Sequence, residues 1–215
     1  MKLFRFLKSV SFYCLFYTFE TKRIFQNIQT GPVVSGLLTH GIIKENDWFQ
    51  IGPDDDGCFH PVQISSLQRH KVSCRVIRAG ESATLALNKC NLANLRKGMV
   101  LRCSNEQSNN YPICTYFQAR IHVLFHPKVI FPGFQCTVYI GNVRQTAIII
   151  GMMGKKYIST NEDASVMFRF VKHPEYIHPG CRLLFREGPY KGIGHIIQVF
   201  PISGGLPLRY INRND

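Results

Sequence analysis

No stretch of this chain sustains a helical period beyond two turns, and that limits the possible folds more than any other feature. Short runs rich in Val, Ile, Phe and Thr recur instead, each broken by Gly, Pro, Asn or Asp. They predict strands at 22–25, 33–38, 48–51, 63–68, 83–87 and 99–102, then at 117–124, 134–140, 146–152, 165–170, 182–186 and 193–200. One short helical turn fits at 92–95. Strands this short, with turn signals between them, read as all-β barrels or sandwiches. Asp54-Asp55-Asp56-Gly57 reads as a tight reversal in which an aspartate caps its own backbone. The polar stretch 104–112 reads as a linker between halves of similar length.

At 215 residues, each half can bury a usable core. With 45% hydrophobic and 18% charged residues, the chain belongs with folded proteins rather than disordered ones. Its 26 Lys+Arg against 13 Asp+Glu leave a net charge of +13, which favours a polyanionic partner, nucleic acid before acidic membrane. The eight cysteines form no C-x-x-C pair and have no histidine at zinc-ligand spacing. They read as reduced thiols of a cytoplasmic protein that holds no metal.

The first eighteen residues carry Lys2, Arg5 and Lys8 ahead of an apolar run, and the first acid is Glu20. That run is too short to span a bilayer and lacks a small-residue cleavage site, so no membrane association is expected. Two readings stay open: a targeting segment, or an alternative start in place of an upstream domain.

Two motifs carry a resemblance. Gly31-Pro32-Val33-Val34-Ser35-Gly36 precedes Gly41-Ile42-Ile43-Lys44-Glu45-Asn46-Asp47 and Ile51-Gly52-Pro53; Arg78-Ala79-Gly80-Glu81 and Arg96-Lys97-Gly98-Met99-Val100 follow. The set resembles domain II of the elongation factor Tu and elongation factor 1-alpha superfamily. The stretch from Leu183-Leu184-Phe185-Arg186-Glu187-Gly188 through Lys191-Gly192-Ile193-Gly194 resembles the last hairpin of domain III. Gly141-Asn142-Val143-Arg144-Gln145 and Lys172-His173-Pro174-Glu175-Tyr176 are similar to the animal GTP-binding protein 1 and 2 family. The resemblance implies two consecutive β-barrels: a domain II-like barrel over 19–105, a linker at 106–114 and a domain III-like Greek-key barrel over 115–201. An unmatched 1–18 precedes them and a tail, 202–215, follows.

The sequence departs from the family in two places. It has no G-x-x-x-x-G-K-[ST] loop and no N-K-x-D, so GTP and Mg²⁺, expected for the full-length family, should not bind this chain. Where relatives carry an acidic pair ahead of the first domain II strand, this chain has Lys22-Arg23, which puts an aminoacyl-end pocket in doubt.

Candidate partner-binding residues fall in three places. Gln68, Arg69, His70 and Lys71 lie where the resemblance puts a nucleotide-end pocket, and Arg69 and Lys71 alternate so as to share a face. Arg144 follows a turn, where it could position an RNA backbone or simply be solvated. Arg186, Lys191 and Gly192, with Gly188 and Gly194, form a basic hairpin suited to phosphates, or equally to turn geometry and edge protection. No cysteine or histidine sits in a nucleophile signature, so no catalytic residue is assigned.

The expectation is the non-catalytic C-terminal part of a translational GTPase, contacting tRNA, the ribosome or a ribosome-rescue partner while a G domain hydrolyses GTP. The alternative is a stand-alone β-barrel protein-interaction module with no nucleotide cycle.

Overall fold

The computed structural model describes residues 18–27, 31–88, 95–103 and 113–202. The linker at 104–112, the segment 1–17, the tail beyond residue 202 and all but the last residue of the turn expected at 92–95 lie outside them. No helix occurs among the described residues, and the strands form two closed six-stranded antiparallel barrels.

Nine strands belong to the first half: β1 (Thr18–Asn27), β2 (Gly31–His40), β3 (Ile42–Lys44), β4 (Trp48–Gly52), β5 (His60–Arg69), β6 (Val72–Cys74), β7 (Val76–Arg78), β8 (Ser82–Asn88) and β9 (Val100–Cys103). The barrel runs β4-β9-β1-β2-β8-β5 and closes through β4–β5; β6 extends β5 as a hairpin, and β3 pairs with β7 as a separate ribbon. Period-2 patterning makes this work: Val34, Leu38, Val62, Ile64, Leu85 and Leu87 point inward and are buried.

Gly36 sits where β2 passes closest to β1. A Cβ there would lie 1.9 Å from the Glu20 carbonyl oxygen and 2.7 Å from the Phe19 ring, so only glycine permits this approach.

Seven strands form the second half: β10 (Ile113–Phe125), β11 (Gln135–Ile140), β12 (Val143–Met152), β13 (Asp163–Phe170), β14 (Glu175–Tyr176), β15 (Arg182–Glu187) and β16 (Tyr190–Pro201). The order is β13-β12-β11-β15-β16-β10, closed through β13–β10, with β14 on the end of β10. Its core centres on Phe117, which stacks on Phe168 at 5.2 Å and meets Phe170 at 4.8 Å. The buried Glu175 carboxylate accepts a hydrogen bond from Gln145 Nε2 at 2.7 Å, so this acid does not enter the barrel unpartnered.

Backbone contacts divide the chain into two compact units. One is built on β1–β9; the other takes β10–β16 together with Pro53–Phe59 and Lys97–Met99. The Asp54 reversal forms as its sequence requires, with Asp54 Oδ1 accepting from the backbone N–H groups of Asp56 at 3.0 Å and Cys58 at 2.7 Å.

Each of the twelve predicted runs falls on an observed strand. The very short β3, β6, β7 and β14 escaped prediction because so few residues show no period.

Candidate functional site

In the first unit, β5 and β6 join through a two-residue turn at His70-Lys71. Both residues adopt the left-handed region, at φ 51° and 67°, which sequences usually reserve for Gly or Asn. Gln68 is exposed at the end of β5, and Lys71 projects from the turn itself. Arg69 forms an ion pair with Glu81. Glu81 also accepts a hydrogen bond from the backbone N–H of Arg78 at 2.8 Å, and these contacts hold its carboxyl below the usual carboxylate range. Arg69 therefore spends part of its charge on the fold, whereas Gln68 and Lys71 stay exposed. Lys22 and Arg23 are exposed on β1.

The second unit brings Arg144, Arg186 and Lys191 to the outer face of its barrel. Arg144 stands within β12 rather than ahead of the strand, because β12 starts at Val143 after a two-residue turn. It lies opposite Tyr139 of β11, its guanidinium 5.4 Å from the ring centroid. Arg186 and Lys191 are direct cross-strand neighbours on β15 and β16. Gly192 is buried: a Cβ there would lie 2.2 Å from Phe185 Cζ and 2.7 Å from the His122 carbonyl oxygen. Its missing side chain is accounted for by that packing, whereas Gly188 has open space around it.

Reading the register outward reveals residues that sequence reasoning missed. Arg120 of β10 faces His195 of β16, which faces Arg182 of β15, so three basic side chains form one row across three strands. Among the described residues no carboxylate pairs with any of them. The next row runs His122, Ile193, Leu184 and Tyr139, and beyond it lies the Lys191–Arg186 pair. An apolar stripe is thus bordered on both sides by cations. His122 Nδ1 lies 3.1 Å from Asp163 Oδ1, which places an acid at the β10 end of the stripe. The first two rows and Asp163, but not Arg186 or Lys191, line an open cleft of about 830 Å³. Alternation in Arg182-Leu184-Arg186 and Lys191-Ile193-His195 hinted at one outward face, but only the strand register shows that the rows converge.

The described residues offer little for other chemistry. Burial, with Glu187 nearby, pushes the Cys136 thiol up to about 12, and burial raises Cys114 further. Burial and the charges of Asp54 and Asp56 also raise Cys58, so all three thiols stay protonated and poorly nucleophilic. No group of three metal-ligating side chains occurs among the described residues. Neither a helix N-terminus nor a glycine-rich strand-to-helix loop, the usual cradles for a nucleoside triphosphate, occurs among the described residues. No described helix is long and apolar enough to cross a membrane.

Two closed antiparallel barrels in succession, the first holding the Gly31–Gly36 segment and the second the Arg186–Gly194 hairpin, define a tandem β-barrel protein of the all-β class. No family model matches the chain. It is 48% identical over 187 residues to GTP-binding protein 2 of Mus musculus and of Homo sapiens, covering 87% of this chain and 31% of each relative. It is 39% identical over 180 residues to GTP-binding protein 1 of Xenopus laevis, covering 83% and 27%. Elongation factor 1-alpha of Pyrobaculum calidifontis matches at 23% over 194 residues, or 88% and 40%. The chain belongs to the GTP-binding protein 1 and 2 family, and it spans about a third of the length of GTP-binding protein 2.

Proposed function

We propose that this chain acts as the non-catalytic C-terminal part of a translational GTPase similar to GTP-binding protein 2. In this reading its barrels grip tRNA, the ribosome or a ribosome-associated partner in the cytoplasm, while a G domain outside this sequence binds GTP and Mg²⁺. The observation that carries the reading is the gathering of Arg144, Arg186 and Lys191 on one barrel face of a chain with a net charge of +13. Cations placed this way meet phosphates without reading bases, so binding should be strong in low salt and indifferent to sequence.

The test is titration of a labelled structured RNA at two salt concentrations. Phosphate contacts release counterions, with a log–log slope of about −0.7 to −0.9 per contact. Arg144→Ala/Lys191→Ala should make the slope shallower by one to two contacts, at unchanged sequence preference, while thermal melts stay within a few degrees. An unchanged slope would identify these residues as solvated surface.

A second expectation concerns nucleotide. Titration with fluorescent GDP at about micromolar protein should show no saturable binding, because the phosphate loop and the guanine-reading motif are missing from the sequence. Saturation in that range would overturn the assignment of GTP chemistry to a separate domain.

A further inference from the structure

The outer face of the second barrel holds more than phosphate contacts require. An outward face of an antiparallel barrel is normally polar, yet Ile193, Leu184 and Tyr139 make a continuous apolar row across β16, β15 and β11. Ile193 keeps 46% of its surface exposed. Beside this row, Arg120 and Arg182 flank His195 on the two neighbouring strands, and among the described residues no carboxylate pairs with either arginine. Strands lie about 4.8 Å apart, so the basic row spans about 10 Å, and it lies about 7 Å from the apolar one. Both rows line one open cleft, with Asp163 at its β10 end.

We infer that this cleft is a protein-docking site for an acidic segment that carries a protruding apolar or aromatic side chain. The side chain fills the groove over Ile193, Leu184 and Tyr139, and flanking carboxylates pair with Arg120 and Arg182. Arg and Tyr around an apolar centre are the composition of an interface anchor. Charge complementarity selects an acidic partner, and the apolar floor selects protein over RNA, since a phosphate backbone gains nothing by desolvating leucine and isoleucine. The groove adjoins the residues of the RNA reading, with Arg144 against Tyr139 and the Arg186–Lys191 pair along its far border, but its own cations are Arg120 and Arg182.

The experiment uses the full chain and fluorescence anisotropy with three labelled probes: a random glutamate–tyrosine copolymer, polyglutamate of the same length, and an RNA hairpin. The copolymer should bind roughly tenfold tighter than polyglutamate. Arg120→Ala/Arg182→Ala should weaken both acidic probes by roughly tenfold or more. Ile193→Ser should weaken the copolymer by about fivefold and leave polyglutamate unchanged. Leu184→Asp, which sets a carboxylate in the groove, should abolish the preference for the copolymer. Ile193 and Leu184 both point away from the core, so thermal melts should show every variant folded. Equal binding of the two acidic probes, with Ile193→Ser indifferent, would reduce the face to a general basic surface and overturn the proposal. So would loss of hairpin binding in Ile193→Ser equal to the loss of copolymer, which would give the groove to nucleic acid. A wild-type chain that ignores the hairpin but binds the copolymer would sink the RNA reading alone.

Discussion

Replacing Gly36 with alanine should destabilise the first barrel by about 3 kcal/mol or more, one of the largest effects available to a single methyl group in this chain. The added carbon would fall 1.9 Å from the Glu20 carbonyl oxygen, and that oxygen belongs to the backbone of β1 rather than to a flexible side-chain tip. Relief would require β1 and β2 to separate, and both are barrel staves, so the closure of β9-β1-β2-β8 would open with them. The chain has a single tryptophan, Trp48, and it lies on β4 of this barrel, about half exposed. Its fluorescence in a urea titration therefore reads the first unit specifically. The midpoint should fall well below that of the parent chain, whereas Ser35→Ala, one position away on the partly exposed side, should shift stability by about 0.5 kcal/mol or less. Equal midpoints for Gly36→Ala and the parent would mean that the strands do not approach so closely.

Gly36 also shows how much of the fold was legible in the sequence. The Gly31-Pro32-Val33-Val34-Ser35-Gly36 motif pointed to the right architecture, and alternation of apolar with polar residues placed every strand long enough to show a period. The physical reason for the second glycine, a backbone carbonyl on another strand, is a long-range contact that no local pattern reports. The site was legible to a smaller degree for the same reason. Arg144, Arg186 and Lys191 could be picked from their neighbours, but Arg120, Arg182 and His195 lie far apart in sequence and meet only through the pairing of β10 with β16 and of β16 with β15. Electrostatic sites on sheets depend on register, and a slip of one residue would send each of these side chains to the opposite face. Arg69 shows another contact that no local pattern reports. Beside Lys71 it reads as a partner-binding cation, yet Glu81, twelve residues on, holds it in an ion pair.

Phe117→Ala is the counterpart in the second barrel and should cost about 3–5 kcal/mol. Phe117 has no exposed surface and touches two rings at once, Phe168 at 5.2 Å and Phe170 at 4.8 Å, both on β13. β10 pairs with β13 and with β16, so the ring sits at the seam that closes this barrel. Truncation leaves a cavity lined by stiff aromatic groups that cannot collapse inward, which places the expected loss toward the upper end of the range. The second unit contains no tryptophan among its described residues, and this makes the experiment informative about domain autonomy as well as packing. If the two barrels fold as separate units, far-UV circular dichroism of Phe117→Ala will lose part of its amplitude at low urea, while the Trp48 transition keeps the midpoint of the parent chain. If Trp48 reports the same loss as the dichroism, the barrels unfold as one cooperative unit. In that case the stability of each barrel would be coupled to whatever docks on the other, since ligand bound to one would raise the midpoint of both.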